Sequence, residues 1–250
     1  DLQNALVTGG SGFVGSHLVE ELVKRGIDIT VVDDLSNGSN DNLQSVLHDV
    51  TFVRDDISRN GFDIAGNFDA IFHLATHPRS FSLADPYRNL EVNAKGMLNI
   101  LELARRRGSK VIYTSNSGIY GEPKFLPVDE SHPDDPKTPY DATKLIGEHL
   151  AKIYFKIYGS PCVILRLATV YGERQRVNEK LNWRPVVAEF VKRAMAAESP
   201  VIYGDGDQTR DLIYVKDVVK GLILGAESNS ANGELMILST GRETSINQLL

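Results

Sequence analysis

The stretch Asn4-Ala5-Leu6-Val7-Thr8-Gly9-Gly10-Ser11-Gly12-Phe13-Val14-Gly15 decides how the chain is read. Asn4 to Thr8 is a short apolar run suited to a buried strand. From Val14 onward, apolar residues at Leu18, Leu22 and Val23 keep a helical spacing that Gly26 ends. Gly9, Gly12 and Gly15 therefore lie between a strand and a helix. In that setting glycines tighten the turn and let the backbone approach a pyrophosphate, whose charge the helix N-terminus stabilises. The glycine spacing alone, without strand and helix on either side, would carry far less.

Working outward, Ile27 to Asp33 is a β-branched strand ending in an acid about 20 residues after the glycine loop, where a dinucleotide site places one for the adenosine ribose hydroxyls. No Arg or Lys occurs among residues 34 to 39, so a 2′-phosphate would meet carboxylates and no cation. That favours NAD over NADP. The alternation continues with strands at Thr51-Phe52-Val53, at Ala70 to Ala75 and at Lys110 to Thr114, a long helix from about Asp85 to Arg107, and a sixth strand at Cys162 to Leu165. Apolar strands alternating with helices predict an α/β fold, a doubly wound parallel sheet of Rossmann type covered on both faces. Such folds bind ligands at the carboxyl ends of their strands. Past Arg166 the pattern loosens, with a helix at about 186–197, a short strand and turn at 201–207, a strand at 210–215 and a helix at about 216–226. This predicts a cofactor domain over residues 1–168. Residues 169–250 read mainly as a smaller substrate lobe that returns some segments to the first domain. The chain stops inside what reads as a young amphipathic helix, Ser245 to Leu250, so a continuation beyond it is expected.

A second feature lies on the same sheet edge. Thr138 and Pro139 suit an N-cap and first helical position, and behind them Tyr140 and Lys144 stand four residues apart on one helix face. A phenol and an ammonium so placed suit proton transfer near neutral pH.

Composition sets the limits. With 250 residues, 42% of them apolar, and a net charge of −6, the chain has ample material for a core and no electrostatic footprint for nucleic acid or an anionic membrane. Its one cysteine, Cys162, excludes an intrachain disulfide and any multi-cysteine metal site. The six histidines form no ligand cluster, so no metal is expected. His77 alone follows a strand on the cofactor edge, as loop filler or as a ligand contact. No apolar run reaches the roughly 20 residues of a membrane span, and the expected location is cytoplasmic.

The chain resembles the extended short-chain dehydrogenases/reductases of the NAD-dependent epimerase/dehydratase family. The resemblance rests on Thr8 to Gly15, Asp56-Ile57, Phe72-His73-Leu74-Ala75, Asn93, Tyr120-Gly121, Tyr140-x-x-x-Lys144, Val170-Tyr171-Gly172 and Gly204 to Asp211, and spans nearly the whole sequence. It implies NAD contacts from Gly9, Gly12, Phe13, Val14, Gly15, Asp33, Asn37, Gly38, Asp56, Ile57, Leu74, Ala75, Asn93, Thr114, Tyr140 and Lys144. It implies a UDP-sugar held by Asn116, Tyr140, Thr169, Asn182, Trp183 and Arg210. It also implies epimerisation, at C4 of a UDP-hexose, in which Tyr140 takes a hydroxyl proton while Lys144 holds the nicotinamide ribose. Family dehydratases and decarboxylases carry acids just before their Tyr-Gly, where this chain has Asn116-Ser117-Gly118, so dehydration ranks below epimerisation. The family's catalytic Ser or Thr is Asn116 here. An amide donates hydrogen bonds but relays no proton, and Ser115 or Ser117 would serve if the turn shifts by a residue. Net reduction of a nucleotide-linked keto-sugar and NAD sensing without catalysis are the alternatives. A homodimer is expected, with Tyr154, Phe155 and Tyr158 as core or as helix-packing interface.

Overall fold

The computed structural model describes residues 2–178 and 183–250. Its first half alternates as expected: β1 (Asn4–Thr8), α1 (Phe13–Lys24), β2 (Asp28–Val32), β3 (Thr51–Val53) and β4 (Ala70–His73). The short helices α2 (Arg79–Ser82) and α3 (Pro86–Leu90) follow, then α4 (Gly96–Arg107), β5 (Lys110–Asn116), α5 (Pro139–Tyr158) and β6 (Cys162–Leu167). The remainder contributes β7 (Thr169–Tyr171), α6 (Val186–Met195), β8 (Thr209–Arg210), β9 (Leu212–Tyr214), α7 (Val215–Glu227), β10 (Leu235–Leu238) and β11 (Thr244–Ser245).

Seven parallel strands form one sheet in the order β10-β6-β5-β4-β1-β2-β3. Successive strand residues point to opposite faces, and both faces are apolar. Ala5, Val7, Phe72, Ile112 and Val163 join Leu18, Val19 and Leu22 of α1 and Val218 and Leu222 of α7. Leu6, Ile71, Val111, Tyr113 and Ile164 join Met97, Ile100 and Leu101 of α4 and Ala151 and Tyr154 of α5. Burying both faces is why the strands read as continuous apolar runs. Strand order reverses between β1 and β4, which opens a crevice at their carboxyl ends.

Three sequence expectations need correction. β10 is a seventh strand that the sequence reading left out; Leu235-Met236-Ile237-Leu238 is half-buried at the sheet edge and too short to announce itself. The helix expected from about Asp85 to Arg107 spans those residues, with a π-helical turn at Glu91–Lys95 between α3 and α4. Residues 201–207 form bends and a turn, without a strand. The final residues form β11 and a single 3₁₀ turn at Asn247–Leu249, not an amphipathic helix. β11 pairs instead with β8.

Candidate active site

A cleft of about 630 Å³ runs across the carboxyl ends of β1, β2, β4 and β5. The glycine loop forms its floor. Gly15 is the position a side chain could least occupy, because a Cβ there would collide with the carbonyl oxygen of Gly9. Gly9, Gly12, Phe13, Val14 and Gly15 all face the cleft, as do Asn37 and Gly38 beyond β2, Asp56 and Ile57 beyond β3, and Leu74 and Ala75 beyond β4. Asp33 ends β2 with Oδ2 accepting from the Ser11 amide and Oδ1 from the Leu35 amide, both at 2.9 Å. Burial nevertheless raises its carboxyl pKa, against the pull of those two amides. A glycine cradle leading into α1, and a carboxylate fixed by backbone amides with lone pairs left for ribose hydroxyls, fit an adenine dinucleotide.

Across the cleft, α5 begins as the sequence predicts. The Thr138 hydroxyl accepts from the Asp141 amide at 3.2 Å, Pro139 occupies the first turn, and Gly159 closes the helix in the left-handed region. Tyr140 and Lys144 both line the cleft. Burial drives the phenol up to about 12, with the Thr76 hydroxyl and the Arg79 charge opposing and Asp141 reinforcing the rise. Burial also pushes the Lys144 ammonium down to about 7, while Glu148, one turn further along, holds it up. Lys144 Nζ rests 4.4 Å above the Tyr113 ring. The sequence reading expects Lys144 and an oxidised nicotinamide together to supply the charge that makes the phenol acidic. Burial works against that at both groups, raising the phenol and lowering the ammonium.

The other expected site residues divide. Thr114, Ser115, Asn116, Ser117, Thr169 and Trp183 line the cleft. Ser115 is committed away from it, since its hydroxyl donates to Glu148 Oε1 at 2.5 Å, which removes it as a replacement relay. Asn93 lies behind the wall in the π-helical turn. Its Oδ1 accepts from Thr76 Oγ1 at 2.9 Å and from the His77 amide at 2.8 Å, and its Nδ2 donates to Thr143 Oγ1 at 3.1 Å. The extra residue in that turn aims the amide into the network that seats α5, a use to which such turns are often put. His77 lines the cleft. Arg210 lies outside the cleft wall, exposed on β8, where Nη1 donates to the Thr209 carbonyl at 2.7 Å. Asn182 lies outside the described residues.

Sequence reasoning missed Thr76, Arg79, Arg88, Asp141, Glu148 and Arg166. Arg88 donates to Asp56 Oδ2 at 2.8 Å and lies 3.5 Å from Asp34 Oδ2, so the cation at the adenosine end of the cleft is already neutralised by carboxylates. Glu148 and Arg166 form a buried pair at 2.6 Å beneath Ser115 and Lys144. Asp141 is wholly buried and sits against Gly118, inside the turn where family dehydratases carry an acid; it does not line the cleft. Signals for two of these were present: Arg79 follows the fourth strand as His77 does, and Asp141 adjoins Tyr140.

Fold and cleft together define a dinucleotide site of the short-chain dehydrogenase/reductase class, with Tyr140 and Lys144 among the residues that line it. Residues 5–238 match the model of the NAD dependent epimerase/dehydratase family, and the chain belongs to that family. It is 36% identical to a UDP-glucose 4-epimerase of Mycolicibacterium smegmatis over 98% of its own length and 79% of the relative's. It is 33% identical to UDP-glucuronic acid decarboxylase 1 of Danio rerio over 92% of its own length, spanning 55% of that protein. Among solved structures, a UDP-N-acetylglucosamine 4-epimerase from Methanobrevibacter ruminantium M1, in complex with UDP-N-acetylmuramic acid, superposes with a TM-score of 0.91 at 35% identity, covering 100% of this chain and 80% of that one. Among the described residues no group of His, Cys, Asp or Glu could hold a metal, and no helix is long and apolar enough to cross a membrane.

Proposed function

We propose that this chain is an NAD-dependent nucleotide-sugar epimerase acting at C4 of a UDP-hexose. The observation that carries the reading is Tyr140 and Lys144 facing the cleft opposite a turn, Asn116-Ser117-Gly118, that offers no carboxyl to the substrate. Elimination or decarboxylation at this site would lack its acid, whereas oxidation and reduction of a hydroxyl need only a proton acceptor and a hydride acceptor. NAD bound here would take up a hydride from the sugar and return it to the opposite face. The glycine loop and the N-terminus of α1 would hold its pyrophosphate, Asp33 the adenosine ribose, and Asp56 with Ile57 the adenine edge.

Tyr140 takes the proton of the sugar hydroxyl and later returns it. Lys144 fixes the nicotinamide ribose and shares the phenol's environment. Asn93 and Thr143 seat α5 so that the phenol keeps its place. Thr169 and Trp183 stand on the substrate side, and the reading divides the chain into a cofactor domain over 1–168 and a substrate lobe over 169–250 whose α7 and β10 return to the main sheet.

The reading extends to a homodimer. Ile146, Ile153 and Ile157 form an exposed stripe on α5, with Leu98 exposed on the adjacent α4. Pairing these two helices with their copies would cover that stripe, and light scattering at several protein concentrations tests it. A cytoplasmic location goes with the reading and is open to cell fractionation. The enzymatic proposal itself is tested by adding UDP-galactose to protein and NAD and measuring UDP-glucose formation.

A further inference from the structure

Charge is spread unevenly along the cleft. Among the described residues its lining carboxylates are Asp33, Asp34, Asp55 and Asp56, all beyond β2 and β3 at the adenosine end. The other end, beyond β4 and β5 and beside the start of α5, has none, since Asp141 and Glu148 are buried outside the lining. The Lys and Arg side chains lining the cleft among the described residues are Arg79, Arg88 and Lys144. Arg88 donates to Ser58 Oγ at 2.9 Å and to Asp56 Oδ2 at 2.8 Å, so its donors are committed. Lys144 is buried, and burial brings its ammonium down to about 7. Arg79 differs from both. Its side chain is 43% exposed, and its one ion-pair partner among the described residues is Asp141, whose Oδ2 lies 3.4 Å from Nη2. A guanidinium has five N–H donors, and among the described residues those of Arg79 make no hydrogen bond.

An exposed guanidinium with open donors suits an anion, either the diphosphate of a nucleotide sugar or an acid on the sugar itself. Its place decides between them. Arg79 opens α2 after β4, and its Nη1 lies 3.2 Å from where a Cβ on Gly118 would stand. Gly118 lines the cleft together with Tyr140, and Asp141 follows Tyr140 directly in α5. The Arg79 charge also reaches the phenol, where it opposes the rise in pKa that burial causes. The guanidinium therefore stands with the phenol, at the hydroxyl that reacts.

We propose that Arg79 is a specificity residue that receives a carboxylate carried by the sugar next to the carbon at which Tyr140 acts, so that an acidic nucleotide sugar is preferred over a neutral one. The inference deepens the epimerase reading above and rests on it. A carboxylate matches the planar fork of a guanidinium with two parallel hydrogen bonds, which a hydroxymethyl group cannot do. Asp141 pairs with the guanidinium from outside the cleft, so it does not line the space that the arriving anion enters. Both neighbours of C4 can carry such a group: C5 in a hexuronic acid, and C3 through an ether-linked acid on its oxygen.

Calorimetry on protein loaded with NAD tests this with two pairs of ligands. UDP-glucose and UDP-glucuronate differ only in the carboxylate at C6; UDP-N-acetylglucosamine and UDP-N-acetylmuramic acid differ only in the acid on O3. In at least one pair the acidic member should bind about tenfold more tightly, and the pair that shows it tells which carbon bears the acid. No preference in either pair overturns the proposal, and this comparison needs no variant. Arg79→Met, with circular dichroism and NAD affinity confirming its fold, should weaken the preferred acid about thirtyfold, the loss of a charge-assisted contact, and its neutral counterpart about tenfold less than that. Equal losses for the acid, its neutral counterpart and UDP alone put the guanidinium on the diphosphate and overturn the proposal. Binding is read without turnover, so a wild type that prefers the acid yet epimerises neither neutral nor acidic UDP-sugars strikes the reaction reading alone.

Discussion

Replacing Glu148 by Gln tests whether the buried ion pair beneath the cleft holds the catalytic helix in place. Glu148 and Arg166 are 1% and 2% exposed. The carboxylate accepts from Ser115 Oγ at 2.5 Å, Arg166 Nε at 2.9 Å and Arg166 Nη2 at 2.6 Å. Glutamine keeps the shape but turns one of its two ends into a donor that faces donors. Arg166 would be left with Asp134 at 2.8 Å and the Tyr120 ring at 4.6 Å. Breaking a buried pair from one side costs about 3–5 kcal/mol. At about 2–4 °C per kcal/mol for a chain of this size, the melting temperature should fall by about 10 °C. Removing both charges with Glu148→Leu and Arg166→Met takes away the buried guanidinium together with its buried partner and leaves only the part-exposed Asp134 without its ion pair, so the double variant should recover most of that loss. Thermal unfolding at fixed protein concentration, without NAD, reads all three proteins. A single variant within about 2 °C of wild type, or a double variant less stable than the single, would refute the reasoning.

Other expectations follow from the same geometry. Lys144→Met removes a charge from the dry cleft, so it should abolish turnover yet stabilise the empty protein at pH 7 by about 1 kcal/mol, as changes that relieve a functional site often do; equal or lower stability in urea titration contradicts the burial argument. His73, stacked on Tyr113 with Nδ1 2.8 Å from Thr8 Oγ1, is pushed by burial down to about 3. Its folded pKa lies below the unfolded value of about 6.5, so stability is lost as pH falls through that window. Between pH 7 and pH 5 the loss should be about 2 kcal/mol, and His73→Asn should flatten that slope. Cofactor choice follows from Asp33: a 2′-phosphate about 4 Å from a carboxylate costs about 4 kcal/mol per charge pair near a surface, or about a thousandfold in affinity. Calorimetry with NAD and NADP should show that gap, and Asp33→Ala should narrow it.

The sequence announced those parts of the molecule that depend on neighbours along the chain. Residues 4–15 and Asp33 showed the cofactor edge because strand, glycines, helix and acid follow one another directly, and α5 showed its start through Thr138 and Pro139. What stayed hidden depends on contacts across long separations. Asp141 reads as a helix-start acid until Arg79, 62 positions away, is found 3.4 Å from it. Ser115 reads as a free hydroxyl until Glu148 is seen to accept its hydrogen bond. The π-helical turn around Asn93 has no signature in the apolar spacing of α3 and α4, since its extra residue is stabilised by Thr76, His77 and Thr143. β10 was overlooked because four half-buried residues take their strand conformation from pairing with β6.

On the proposed epimerase reading, Tyr140 and Lys144 serve an internal redox cycle in which NAD is restored at every turnover. The most direct measurement mixes the protein with NAD and UDP-galactose, follows UDP-glucose by chromatography and reads absorbance at 340 nm throughout. The account predicts conversion to an equilibrium mixture with no net NADH, and loss of that conversion by at least about a hundredfold in Tyr140→Phe. Stoichiometric NADH accumulation, or conversion that survives the loss of the phenol, would contradict it.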